Sequence, residues 1–442
     1  MPTFFKHLRL AAVAATLAIA ALPSAHADEQ FFPLQSYRVG PYAAGGTGFF
    51  GGFIDYLNLV NLRDGGVNGV KLRWEEGETQ YEVERGVEVY ERLKQRPGIA
   101  AWNPLSVGIA YALIDRVTAD KVPLLTINHG RTDTTDGRVF KYIFPLLLNP
   151  YSETSGIVNY LGTKEGGLEK LKGKKIVVLY HGSPYGKETI PIYELLAKKY
   201  GFTVQQIEVP HPGNEQQAQW LTIRRVKPDY VVLRGWGVQN PVALKTAQKT
   251  GFPVDRIVGN VWSNSEEDVI PAGDAAKGYV AITTVAAGAH HPVLQEITKT
   301  VYGAGKGNLQ DPKRIGSVYH NLGVLNGILN VEALRIAQAH FGKRTLTGDE
   351  VRWGFEHLKI DEVRAAALGA KGLFHSINVT WDNHEGDGRV AFQQWDGKKW
   401  NVVSDWIAPD WKLLRPLIEQ SSQAYAKEKN IRLRTGPDDA PQ

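Results

Sequence analysis

Aromatic and hydrogen-bonding side chains recur in short polar loops that follow apolar runs: Tyr42, Trp102, Ser106, Asn128, His129, Arg131, Tyr185, Trp236 and Trp262. Tyr and Trp rings stack on a small molecule, and a guanidinium holds a carboxylate with two parallel bonds. This is the chemistry of holding a ligand. The chemistry of bond breaking is not spelled out. No G-x-S-x-G elbow, no G-x-x-x-x-G-K-[ST] loop and no H-E-x-x-H pair occurs, and no G-x-G-x-x-G follows the first strand. Nothing selects one Ser–His–Asp set, so no catalytic residue and no cofactor are expected. His290 and His291 are adjacent and point apart in a helix or strand. Asp382-Asn383-His384-Glu385-Gly386-Asp387 lacks the spacing of a calcium loop, so no metal site is expected.

Each binding candidate has a competing structural role. Trp102 could be sheet core, His129 a satisfied structural histidine, and Arg131 half of a surface ion pair. Trp236 and Trp262 could pack between elements. The stretch Ala100–Ile114 makes the binding case best, reading as a strand end, a Pro turn, a Ser and an apolar helix. Ser106 is placed to cap that helix, whose first amides and positive dipole end suit a polar or anionic group.

The elements that must position these loops alternate between strand and helix. Strands are predicted at Leu34–Val39, Val70–Trp74, Ile99–Trp102 and Val122–Ile127, with an acidic turn at Glu75–Glu78. Helices are predicted at Phe49–Leu62, around Val83, Val87, Tyr90 and Leu93, and after Ser106. A second run follows. Its strands are Lys175–Tyr180, Phe202–Val209, Asp229–Leu233 and Ile257–Asn260, with helices between. Later come a long helix carrying Val318, Leu322, Leu325 and Leu329, and a hairpin of Arg389–Gln394 with Trp400–Val403 turned by Asp396-Gly397. A last helix, Trp411–Lys429, precedes a polar tail, 430–442, expected to be disordered. Strand–helix alternation twice over predicts an α/β protein of two doubly wound, Rossmann-like lobes. Parallel strands with right-handed crossovers bring all their C-terminal loops to one edge, where ligands bind.

The chain has 442 residues, 43 % of them hydrophobic, enough for a large core without disulfides, and it has no cysteine. Its net charge of +5 is dispersed, with no basic run interleaved with aromatics, so nucleic acid is not an expected partner. Lys6 and Arg9 precede the apolar run Leu10–Leu22 and the small-x-small sequence Ala25-His26-Ala27. Residues 1–27 therefore read as a cleaved signal peptide, and the periplasm as the destination.

Several segments, in order, resemble the periplasmic solute-binding proteins of branched-chain amino acid type ABC transporters, the leucine-binding-protein-like type I fold. They are Gly40-Pro41-Tyr42-Ala43, Asn103-Pro104-Leu105-Ser106-Val107-Gly108 (similar to G-P-x-S-S-x) and Val122-Pro123-Leu124-Leu125-Thr126 (similar to V-P-x-I-S). Tyr180–Gly186 is similar to Y-x-D-x-x-Y-G, and Ala272–Tyr279 to A-G-x-A-x-G. The resemblance implies two lobes joined by three crossings, 31–146 plus 275–382 and 147–274 plus 383–442, with a ligand cleft between them. It implies binding positions at Leu105, Ser106 and Val107 and at Asn128, His129 and Gly130. It also implies a monomer that delivers a small-molecule solute to a membrane permease and ATPase complex. Asn128-His129-Gly130 replaces the family's Ser/Ala-Thr pattern, and Lys277 stands where many relatives have Glu. Both departures weigh against an α-amino acid. A polar aromatic solute of carboxylate type is the expected ligand. The alternatives are a branched-chain amino acid or amide binder or sensor and, less favoured, a secreted α/β enzyme.

Overall fold

Eight residues, Glu29–Ser36, form the first strand (β1) and pair in parallel with Lys71–Glu78 (β2), from Glu29 opposite Lys71 to Ser36 opposite Glu78. The computed structural model describes residues 29–437. The expected signal peptide lies outside the described residues. β1 starts five residues before its expected position and releases the chain at Tyr37, which is fully buried. β2 runs through the predicted acidic turn. As an edge strand it carries charge on an exposed face, where Glu75 pairs with Arg92 and Arg96, and Glu76 with Arg38.

The rest of the first sheet is fragmentary. Ile99–Trp102 makes only single bridges, Phe31 to Ile99 and Trp102 to Leu124, and Leu124–Leu125 (β3) pairs with Ile143–Phe144 (β4). Main-chain bonds still tie these pieces together. Phe31 N donates to Gly98 O, and Trp102 N to Pro123 O, both at 2.8 Å.

The second sheet is continuous. Lys175–His181 (β5), Thr203–Val209 (β6), Tyr230–Arg234 (β7), Ile257–Gly259 (β8) and Val280–Thr283 (β9) are parallel, in the order β9-β8-β7-β5-β6. The small pair Lys359–Ile360 (β10) and Ile377–Asn378 (β11) stands apart. Ala391–Trp395 (β12) and Trp400–Val402 (β13) form the predicted hairpin and add antiparallel to β9. β9, assigned to the first lobe by the boundary at 275, is thus hydrogen-bonded into the second sheet.

Helices cover both sheets. Ala43–Asp64 (α1) starts six residues before its expected beginning. Gly45 and Gly46, which read as loop in sequence, are helical together with Gly48, and these positions are glycine because other groups press against them. A Cβ on Gly46 would lie 2.1 Å from Tyr37 O, and one on Gly48 2.9 Å from Tyr319 Cβ. Val83–Leu93 (α2) and Val107–Asp120 (α3) follow their predicted positions, and α1 packs along the long helix Val318–Phe341.

The C-terminal helix Trp411–Lys429 leaves the second lobe and lies on the first. Ser421 donates to Asp133 at 2.8 Å, and Tyr425 stacks on Phe140 at 4.7 Å. The expectation of a disordered tail fails for residues 430–437. Ile431 and Leu433 pack on a first-lobe core, and the Arg434 guanidinium, 7 % exposed, pairs with Glu356 at 2.6 Å. Two apolar residues and one arginine suffice to anchor a stretch whose average composition is polar. Among the described residues no helix is long and apolar enough to cross a membrane.

Candidate functional site

The C-terminal ends of the strands of both lobes meet around a small, nearly filled cavity of about 10 Å³ lined by Tyr81, Leu105, Val107, His129, Tyr185, Trp236 and Trp262. Six of these seven were singled out from sequence. The first lobe builds its side at the start of α3 and in the loop after β3.

At α3, Leu105 takes a left-handed backbone (φ +46°) and its carbonyl accepts from Tyr37 OH at 3.0 Å. Ser106 caps the helix, its Oγ accepting from Ile109 N at 3.4 Å. The turn therefore presents Leu105, Val107 and the unpaired amide end of a helix to the cavity. After β3, Asn128 (φ +57°) and Gly130 (φ +97°) bracket His129. The His129 ring is 3 % exposed and neither nitrogen has a partner. Burial, with Arg234 adding to it, pushes its pKa down to about 3, so it faces the cavity as a neutral imidazole.

The second lobe supplies rings and a buried charge cluster. Trp236 stands edge-on to Trp262 at 5.2 Å and parallel to Tyr42 at 6.4 Å. Tyr185 OH donates to Gly235 O at 3.2 Å. The Arg234 guanidinium, 1 % exposed, lies 4.2 Å from the centre of the Tyr185 ring and pairs with Glu153 and, at 3.4 Å, with Glu188. Burial pushes the Glu188 carboxyl up to about 8, against the pull of Arg234. The cluster behind Tyr185 thus offers the cavity little net charge near neutrality.

Direct bonds cross from lobe to lobe. Tyr42 OH and His181 Nε2 are 2.9 Å apart, Trp262 Nε1 donates to Asn128 O at 2.9 Å, and Tyr111 OH donates to Glu188 at 2.8 Å. The lobes are closed on one another. At Gly45 a Cβ would lie 2.3 Å from Trp236 Cη2, so the contact of α1 with the second lobe needs glycine there.

The other expected residues lie around or away from the cavity. Tyr42 backs it, 4.5 Å from Tyr81. Asn128 and Gly130 flank His129 without lining the cavity, and Asn128 Nδ2 donates to Thr284 at 2.9 Å. Trp102 is in the core, fully buried and 4.6 Å from Tyr90, because its side chain points to the face covered by α2 and α3. Arg131 is outside. Asp133, two residues on, accepts from its Nε at 2.7 Å and its Nη2 at 2.8 Å, and its guanidinium lies 4.5 Å from the Tyr425 ring. Sequence reasoning passed over Tyr81, Glu153, Glu188, Arg234 and Gly45. Arg234 ends β7, which was the available signal, but its neighbours were taken instead; Tyr81 lies in the turn beyond the end of β2, where no local pattern marks it. Among the described residues no group of His, Asp and Glu could hold a metal ion.

Two α/β lobes closed over a small aromatic cavity at their strand ends define a protein that encloses a small molecule. The periplasmic binding protein family model matches residues 32–399, and the chain belongs to that family, whose members bind solutes rather than transform them. The chain is similar to a crystal structure from the Pseudomonas fluorescens group, described as an ABC transporter permease. Identity is 51 %, TM-score 0.86, and the match covers 92 % of this chain and 99 % of that one. It shares its fold with a branched-chain amino acid ABC transporter protein from Thermus thermophilus with bound valine (22 % identity, TM-score 0.74, 87 % and 98 % covered). It also shares it with an ABC transporter solute-binding protein from R. palustris in complex with benzoate (16 %, 0.68, 86 % and 97 %). A search among curated proteins gave no match.

Proposed function

We propose that this chain is the periplasmic solute-binding component of an ABC importer and that it encloses a small aromatic carboxylate, or a closely related polar aromatic molecule. The observation that carries the reading is the cavity lining. Four rings, Tyr81, Tyr185, Trp236 and Trp262, surround it, and its polar groups are a neutral His129 and the start of α3. Rings suit a flat apolar body, and helix amides with an unpartnered imidazole suit a single polar end. No Asp or Glu lines the cavity to meet an α-ammonium group. A benzoate-bound neighbour and a valine-bound one show that this fold accommodates either class.

Residues 1–27 direct export. The first-lobe sheet with α1–α3 and the helix Val318–Phe341 holds the ligand first, and the seven-stranded sheet closes over it. Ligand shifts the population toward closure to the extent that it binds the closed form better. The closed monomer is what the permease and its ATPase read. Titration calorimetry with benzoate, 4-hydroxybenzoate, leucine, leucinamide and butanoate tests the reading. Binding of the aromatic acids at least tenfold tighter than the others is expected. Binding confined to leucine or its amide would overturn the assignment of ligand class.

A further inference from the structure

We infer that Tyr81 sets the length of solute the cleft admits. The inference rests on the reading that this cavity holds the solute, and it holds for any class of solute. Tyr81 lies on neither a strand end nor a helix start. It stands in the short turn between β2 and α2, and that turn is wound left-handed at two successive residues, Gln80 (φ +52°) and Tyr81 (φ +68°). Bulky side chains seldom adopt that conformation, and surrounding contacts must impose it.

Here the contacts are visible. The Glu78 carboxylate accepts from Arg38 N at 2.6 Å and Gln80 N at 2.8 Å. Thr79 Oγ1 donates to Ser36 O at 3.0 Å and accepts from Tyr81 N at 3.2 Å. The turn so fixed drives the phenol ring into the cleft, 4.5 Å from Tyr42 and edge-on to Tyr37 at 5.2 Å, where it lines the cavity. Tyr81 thereby ends the cavity on the first-lobe side. Without the ring, the cavity extends by about one aromatic ring toward Tyr42 and Tyr37.

The test uses Tyr81→Gly, which suits the left-handed backbone, with Tyr81→Asn as a second truncation that tolerates it and Tyr81→Phe as a variant that keeps the ring. Calorimetry compares two size series: benzoate, 4-hydroxybenzoate and 2-naphthoate, and the straight-chain monocarboxylates from butanoate to decanoate. In whichever series the wild type binds, Tyr81→Gly and Tyr81→Asn should weaken the best wild-type ligand at least tenfold. They should also move the optimum to a larger member. Tyr81→Phe should keep the wild-type size order. An unchanged size order in both truncations would overturn the inference. Wild-type binding confined to the aliphatic series would overturn the aromatic reading alone, because the size shift is then decided within that series.

Discussion

The first lobe meets the cleft with turns held in uncommon backbone conformations, the second with rings on regular strands. Gln80, Tyr81, Leu105, Asn128 and Gly130 all have positive φ on the first-lobe side, whereas Gly237 alone does so in the loops that follow β5, β7 and β8. The sheets behind them differ likewise: separate strand pairs linked by single bridges in the first lobe, one continuous seven-stranded sheet in the second. Turns of the first kind aim main-chain groups and helix ends. A regular sheet holds bulky rings and a buried ion cluster in place. The contrast suggests a division of labour, with the first lobe orienting the polar end of the ligand and the second supplying its stacking surface and the charge that stiffens it.

Removing the charge that anchors the second lobe tests that division most severely. Arg234→Met leaves Glu153 and Glu188 buried without their cation and should cost about 3–5 kcal/mol of stability in denaturant melts. A loss below about 1 kcal/mol would show that the cluster is incidental to the second lobe. The next effect is on the meeting of the lobes. Gly45→Ala puts a methyl where the Trp236 ring lies, so ligand affinity should fall at least tenfold. The unliganded protein should melt no lower, since alanine favours a helix by about 1 kcal/mol over glycine. A lowered melting temperature without loss of affinity would place the contact in the fold rather than in closure.

A smaller effect follows from pH. Burial between the closed lobes raises the Glu188 carboxyl to about 8, outweighing the downward pull of the bonds from Tyr111 and Gly130, and opening should return it toward the ordinary carboxylate range, about 4.3. The closed form then binds a proton more readily than the open one, and affinity should decline as pH rises toward 8 and level off above it. His129 acts in the opposite sense, its pKa being pushed to about 3 on closure, but only below its ordinary pKa of about 6.5. His181, bonded to Tyr42 and likewise held at about 3, behaves in the same way. Asp268 and Glu266, raised to about 7 by burial beside the Val318–Phe341 helix, add to the Glu188 slope. Between pH 6.5 and 8, Glu188→Gln should flatten the decline in affinity, and an unaltered slope would remove Glu188 from the closing contact. The smallest effect belongs to Arg131. Arg131→Ala should change affinity by no more than about twofold and stability by about 0–1 kcal/mol, because its charge is spent on Asp133 at a partly exposed site. Loss of binding would return the carboxylate clamp to the first lobe.

The two arginines also show how far the sequence could be read. Both follow apolar strands, but Arg131 has an acidic neighbour two residues on and a turn that carries it outward, while Arg234 finds its carboxylates 81 and 46 residues away in sequence. No local pattern reports a pairing at such separations. Trp102 failed for a related reason: the face a strand residue presents depends on what covers the sheet, here α2 and α3. The alternation of elements, the turn at Ser106 and the rings at Tyr185, Trp236 and Trp262 were legible because strand ends and helix starts are local features. Tyr81 and the helical run from Gly45 were not. A left-handed tyrosine and a glycine needed for the approach of another lobe's ring are both tertiary facts.

Closure over a ligand is the central claim, and small-angle scattering reads it directly. Measured with and without saturating aromatic acid, the wild type should shrink in radius of gyration on ligand addition, and the Gly45→Ala protein should not. An envelope unchanged at saturation in the wild type would contradict the account.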